Sequence, residues 1–273
     1  MPQLLNVVAL VTGGTRGVGK GAAIGLGEAG ARVYVTGRTE RGGQSTLPGT
    51  LAGTVAAVEQ LGGTAVGLTC DHRVDAQVAA AIERVKSEAG RLDVLVNNVY
   101  ASPEQRAAGV PFWELPISYW DELTSIGLRS HYVASVYAAP LMVAQGRGLI
   151  VNISSAAATD YSPMFGVAYG VAKGALDRLT ADMARELKAH NVAVVSLWPG
   201  PIKGEKILTQ PERVPPEVLA FIMAKGESPH FTGRAIAALA ADPDVMAKTG
   251  RAFKVADLAA EYGFIDPGTD TRG

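Results

Sequence analysis

Apolar residues fall into short runs separated by longer stretches of mixed character. Residues 7–12, 32–36, 64–70, 92–97, 149–153, 192–198 and 251–255 are short, β-branched or aliphatic, and mostly bounded by Gly, Asn, Asp or Pro, the pattern of strands. Several are apolar nearly throughout, which predicts parallel strands covered on both faces. Between them apolar positions recur at helical spacing over residues 18–28, 51–61, 76–89, 118–144, 168–188 and 233–241, with a break expected near Gly127. This β–α–β alternation predicts an α/β fold. The expectation is a single doubly wound, Rossmann-type domain over residues 1–273, with a seven-stranded parallel sheet flanked by helices. Two segments break the rhythm. Residues 41–50 carry Gly-Gly, Ser-Thr and Pro-Gly and read as a loop. Residues 203–229 are rich in Pro and charge, with at most short helices expected, and read as a substrate loop or as an irregular surface connection.

Apolar residues make up 48% and charged residues 19%, enough for a large core and against global disorder. The net charge of −1 and the lack of like-charge runs argue against nucleic-acid and membrane-surface partners. A single cysteine, Cys70, excludes an intrachain disulfide and a zinc site built on several Cys, and reads as a small buried hydrophobe ending a strand. The four histidines show no metal spacing, so no metal is expected. No signal-peptide pattern and no stretch of about 20 apolar residues is found, so the expectation is a cytoplasmic enzyme without a membrane span.

The first predicted strand leads into Thr12-Gly13-Gly14-Thr15-Arg16-Gly17-Val18-Gly19, which opens the first helix. Glycines allow a tight turn and close approach to a diphosphate, and a helix start offers free N–H groups and a positive dipole end. Gly13, Thr15, Arg16, Gly17, Val18 and Gly19 are therefore candidate cofactor residues. The second strand ends Thr36-Gly37-Arg38 without the acid that would bond ribose hydroxyls. Arg38, aided by Arg16, supplies a fork for a phosphate, so NADP(H) is expected over NAD(H). Asp71 follows the third strand, to contact adenine or to cap the next turn. Asn97 and Asn98 follow the fourth, to hold strands together or to line the cofactor floor.

Tyr169 and Lys173 stand at i and i+4 in a helical pattern and share a face. A neighbouring ammonium favours phenolate, so this pair suits proton transfer coupled to hydride movement. Ser154 and Ser155 end the fifth strand, where a hydroxyl can bond a substrate oxygen or satisfy strand-end backbone.

Thr12 to Gly19, Asn97-Asn98, Ser154-Ser155, Tyr169…Lys173 and Pro199-Gly200 follow the order seen in short-chain dehydrogenases/reductases, which the chain resembles over nearly its whole length. Asn97-Asn98-Val99-Tyr100, Pro111-Phe112-Trp113-Glu114, Gly127-Leu128-Arg129-Ser130-His131-Tyr132 and Asp257-Leu258-Ala259…Tyr262-Gly263-Phe264 are similar to the branch called dehydrogenase/reductase member 1-like. The resemblance implies Tyr169 as general acid or base, and Lys173 as the group that lowers its pKa and bonds the nicotinamide ribose. It implies Ser155 as the residue polarising a substrate carbonyl, and Pro199, Gly200 and Ile202 beside the nicotinamide. It further implies a small carbonyl or alcohol substrate of lipophilic character, and a homodimer or homotetramer built on the long helices.

Three positions depart from the family pattern. Gly127 stands where the family has a relay asparagine, Ser155 to Tyr169 is one residue longer than usual, and Gly204 replaces a threonine after Pro-Gly. The alternative to an enzyme is a non-catalytic NADP(H) sensor on the same fold. An epimerase or dehydratase ranks below both, because little chain follows the last strand.

Overall fold

The computed structural model describes residues 3–43, 47–101 and 107–269; residues 44–46 of the expected 41–50 loop lie outside these. Seven parallel strands run β1 Val8–Val11, β2 Arg32–Gly37, β3 Thr64–Thr69, β4 Val94–Asn97, β5 Gly148–Ile153, β6 Val192–Trp198 and β7 Ala252–Lys254. Their order in the sheet is β3-β2-β1-β4-β5-β6-β7. Central β1 and β4 are buried at every residue, while β3 at one edge alternates and β7 at the other is only three residues long. Strands covered on both faces need no alternation; edge strands do.

Helices α1 Gly17–Glu28, α2 Leu51–Gln60, α3 Asp75–Ala89, α4 Ile117–Gly127, α5 Arg129–Gln145 and α6 Gly166–Leu187 follow the expected order. Late in the chain come α7 Glu205–Thr209, α8 Pro216–Lys225, α9 Pro229–Ala241 and α10 Val255–Tyr262. The expected break falls at Leu128, between α4 and α5, where φ is −120° and ψ −59°. The expected substrate loop is more ordered than foreseen, since α8 is ten residues long. α10 was not anticipated, because eight residues give too short a period to recognise.

Alternate residues of each strand feed two cores. Ala9, Val11, Val33 and Val35 pack against α1, α2, α9 and α10, whereas Leu10, Tyr34, Leu95 and Ile150 pack against α3, α5 and α6. Cys70, 1% exposed, belongs to the second core, and burial pushes its thiol up to about 11. On α6, Leu176 and Leu187 are buried, whereas Val167 and Val171 are exposed.

The strand order reverses between β1 and β4, and every strand points the same way. The segments after β1, β4, β5 and β6 therefore converge on one edge of the sheet, where such folds form their crevice.

α1 and α9 cross with backbone against backbone. A Cβ on Gly21 would lie 1.9 Å from the Pro229 carbonyl oxygen, and one on Gly233 would lie 2.0 Å from that of Gly21. Neither neighbour is a side chain that can rotate away. Gly21→Ala is expected to cost about 1–3 kcal/mol by overpacking, read in a thermal melt as a Tm lower by several degrees. An unchanged melt would mean that the two helices separate freely.

Candidate active site

The glycine turn after β1 is held from β4. Asn98 donates through Nδ2 to the carbonyls of Thr12 and Gly13, both at 3.0 Å, and its N–H donates to Thr12 Oγ1 at 2.9 Å. A Cβ on Gly19 would lie 2.4 Å from Asn98 Nδ2 and from the Gly13 oxygen, so only glycine lets α1 start this close. Gly13 at φ +67° and Gly17 at φ +53° shape the turn. Asn97 is fully buried and donates to Ser135 Oγ and Asn152 Oδ1, which ties β4 to β5 and α5. Of the two readings of the asparagine pair, strand-holding is the one with bonds behind it. Asp71 likewise accepts from the Arg73 N–H at 3.0 Å, a turn cap.

Arg16 makes no side-chain cap and the first turn of α1 carries no acid, so the helix start keeps donors for an incoming anion. A carboxylate is already there. Glu205 Oε2, from the first turn of α7, accepts the Gly17 N–H at 2.7 Å, and its Oε1 lies 3.7 Å from Lys20 Nζ. This side chain was invisible to sequence reasoning because 188 residues separate the partners. Gly204, the residue that stands in place of a threonine, is the N-cap of α7 and sets that helix against Gly17. Arg16 feels three influences: burial lowers its pKa, Glu205 raises it, and the like charge of Arg38 lowers it. The two guanidiniums thus lie within electrostatic reach of each other, with Arg38 exposed. Beside them a cavity of about 390 Å³ is lined by Thr39, Arg41, Gly42, Pro48, Thr209 and Gln210.

Pro199, Gly200 and Ile202 leave β6 at the same edge. Glu227 closes that exit: its carboxylate accepts the Gly200 N–H at 2.9 Å, its own N–H donates to the Pro201 carbonyl, and its carbonyl accepts from Lys203. Residues 203–226 therefore leave and return through one backbone junction, Ile202 to Glu227.

Ser155, Tyr169 and Lys173 come together at the ends of β5 and α6. Ser154 is buried and donates to the Lys173 carbonyl at 3.1 Å, so it anchors α6. Ser155, the N-cap of a short turn, is partly open, accepts from the Ala157 N–H at 3.3 Å, and lies close enough to Tyr169 to act on its phenol. The longer spacing is absorbed by the turn Ala156–Ala158 and the segment before α6. Lys173 is 6% exposed, and its Nζ donates to the Ile153 carbonyl at 2.8 Å. Burial pulls its pKa down to about 8 against the pull of Asp177. Asp177 continues the Tyr169–Lys173 stripe by one more turn, and accepts from Ser196 Oγ at 2.5 Å and Trp198 Nε1 at 3.1 Å, tying α6 to β6.

The phenol departs from the simple expectation. Burial raises the Tyr169 pKa, Ser155 pulls it back, and the net direction is upward. Desolvation outweighs Ser155, and the ammonium, 5.6 Å from the ring centroid, is committed to the Ile153 carbonyl. Tyr169 is therefore a neutral hydroxyl near neutral pH.

At Gly127 a Cβ would meet only Tyr100 Cδ2, at 3.7 Å. Tyr100, named at the sequence level only within a branch motif, packs edge-on against Tyr169 with centroids 5.7 Å apart. His131 is 1% exposed, with Nε2 3.2 Å from the Val99 carbonyl oxygen, and burial first, then the Lys173 charge, lowers its pKa to about 3. His72 is buried against Thr36 Oγ1 at 2.8 Å. Among the described residues no group of three or more His, Cys, Asp or Glu side chains is placed to hold a metal, and no helix is long and apolar enough to cross a membrane.

The sequence model of the short chain dehydrogenase family matches residues 7–212. The chain belongs to the short-chain dehydrogenase/reductase family. It is 42% identical over 268 residues to dehydrogenase/reductase SDR family member 1 of Mus musculus, and 41% identical over 270 residues to that of Homo sapiens. Both alignments span 95% of this chain and 82% of the relative. A solved 7α-hydroxysteroid dehydrogenase, complexed with NADH and 7-oxo glycochenodeoxycholic acid, matches with a TM-score of 0.78 at 25% identity, over 92% of this chain and 93% of that one. This short-chain dehydrogenase/reductase thus falls on the member 1 branch of a family of nicotinamide-dependent oxidoreductases.

The Glu205 carboxylate occupies a backbone donor at the start of α1 that an incoming anion would otherwise meet. Glu205→Gln is expected to tighten dinucleotide binding by roughly threefold to tenfold, measured by quenching of protein fluorescence. Equal or weaker affinity in the variant would mean that the carboxylate does not oppose the cofactor.

Proposed function

We propose that this short-chain dehydrogenase/reductase interconverts a lipophilic carbonyl compound and its alcohol with NADP(H), using Tyr169 as general acid in reduction and base in oxidation. The observation that carries the reading is the convergence of Ser155, Tyr169 and Lys173 at the sheet edge that also holds the glycine turn. The turn suits a dinucleotide: Gly17 already binds a carboxylate, a stand-in for phosphate, and an added Cβ there would stand in open space, so the approach at that residue is clear. A bound dihydronicotinamide supplies hydride to the carbonyl carbon.

The chain's own residues do the rest. The Ser155 hydroxyl donates to the carbonyl oxygen and polarises it. Tyr169, kept neutral by burial, gives its proton to that oxygen as charge develops there. The Lys173 ammonium then faces a phenolate, a favourable pairing in a desolvated site. In oxidation the proton returns to Tyr169, so that direction requires phenolate and is favoured by rising pH.

Preference for NADP(H) rests on the paired guanidiniums. Arg16 and Arg38 repel each other, and a dianionic phosphate between them relieves that repulsion. The adjacent cavity of about 390 Å³ gives the adenosine end room. Exposed Tyr132 and Val136 on α5, with Val167 and Val171 on α6, suit self-association as a homodimer or homotetramer.

Tyr169→Phe is expected to lower kcat for ketone reduction by about 10²-fold or more with NADPH affinity retained. A variant that turned over normally would remove Tyr169 from the mechanism. Arg38→Gly is expected to raise KM for NADPH about tenfold while leaving that for NADH nearly unchanged; equal loss for both would point to a general binding defect. Lys173 is cationic below its pKa and neutral above it, so kcat for reduction should fall as pH rises through about 8. A flat profile from pH 7 to 10 would contradict its role.

A further inference from the structure

We infer that Tyr100 is a positioning residue whose ring face holds the Lys173 ammonium in place beside Tyr169. The inference rests on the reading of Tyr169 and Lys173 given above.

An ammonium carries three N–H donors and no acceptor. At 6% exposure Lys173 has little water to call on, and a single donor is used, by the Ile153 carbonyl at 2.8 Å. Asp177 favours the cation from one turn along α6, but its oxygens accept from Ser196 and Trp198. What remains around Nζ is aromatic: the ring centroids of Tyr100 and Tyr169 each lie 5.6 Å away. A cation within about 6 Å of a ring centroid is attracted to the negative face; Lys173 is buried, and Tyr100, partly open to solvent, covers it from outside. Tyr169 has proton transfer to perform, so its ring is not a passive support. Tyr100 has no such duty.

The same ring also fixes the phenol. It meets Tyr169 edge to face, with planes at 87° and centroids 5.7 Å apart. Gly127 at the end of α4 stands beside the ring: a Cβ there would make ordinary contact with Tyr100 Cδ2 at 3.7 Å. Other groups face Lys173 from each packed element. Tyr169 and Asp177 lie on α6, His131 on α5 is kept neutral by burial and by the Lys173 charge, and β5 supplies the Ile153 carbonyl.

The test follows the ¹³Cε chemical shift of Lys173 against pH in the lysine-labelled full chain without cofactor, assigned by its disappearance in Lys173→Met. Tyr100→Phe keeps the ring and is expected to keep the wild-type midpoint. Tyr100→Leu, and trifluorophenylalanine placed at position 100, are expected to titrate roughly 1 pH unit lower. In turnover assays the alkaline limb of kcat should move with that midpoint, kcat should fall about tenfold, and KM for the dinucleotide should hold. The fluorinated ring keeps the shape and loses the negative face, so it carries the test even where leucine perturbs folding. A midpoint unmoved by both replacements overturns the proposal. Because the titration needs no turnover, that failure is separate from the failure of the catalytic reading, which Tyr169→Phe decides.

Discussion

Backbone meeting backbone around α1 is the constraint on which the other features depend. Gly19 lies against Gly13 and Asn98, Gly14 against Val35, and Gly21 and Gly25 against α9. These contacts draw the first helix onto the sheet and aim its uncapped start at the crevice. Glycine is costly in a helix, by roughly 1 kcal/mol relative to alanine. The packing it permits, with Ala22, Ala23, Leu26, Ala235 and Ile236 fully buried across the α1–α9 face, offsets that cost.

A second theme is charge under cover. Lys173 is held as a buried cation by one carbonyl, one nearby carboxylate and two rings, and burial leaves it close to losing its proton. Tyr169 is moved the other way by the same desolvation. Free phenol and free ammonium titrate close together, at about pH 10; burial drives them apart, so the ammonium is the first of the two to lose its proton as pH rises. Asp177, Ser196 and Trp198 hold the lower end of this stripe against β6, so the geometry is set by the sheet and not by a loop.

Much of this was legible in the sequence, for identifiable reasons. Strands such as 192–198 are apolar on both faces and end abruptly, so the seven-stranded parallel sheet could be read from runs alone. The glycine turn, Ser155 and the Tyr169–Lys173 pair are local patterns placed by the strands before them. What escaped reading is what distance hides. Glu205 reaches Gly17 across 188 residues, and Glu227 folds back on Gly200 through 27. Tyr100 looked like part of a motif, and its role depends on packing against Tyr169 and Lys173, which lie far along the chain on α6. Desolvation was also out of reach, since burial of Tyr169 follows from tertiary packing; hence the upward shift where charge proximity alone suggested a downward one. Asp177 was within reach, one turn beyond Lys173.

The junction of Ile202 with Glu227 has a consequence for how this chain can diversify. Both ends of residues 203–226 are pinned at one point by backbone and carboxylate bonds, and Glu205 ties the first turn of the segment to the start of α1. Closing a loop twice as long costs only about 0.6 kcal/mol more. Beyond Glu205 the segment behaves as a cassette: its length and side chains can be exchanged over evolutionary time while the frame beneath keeps its register.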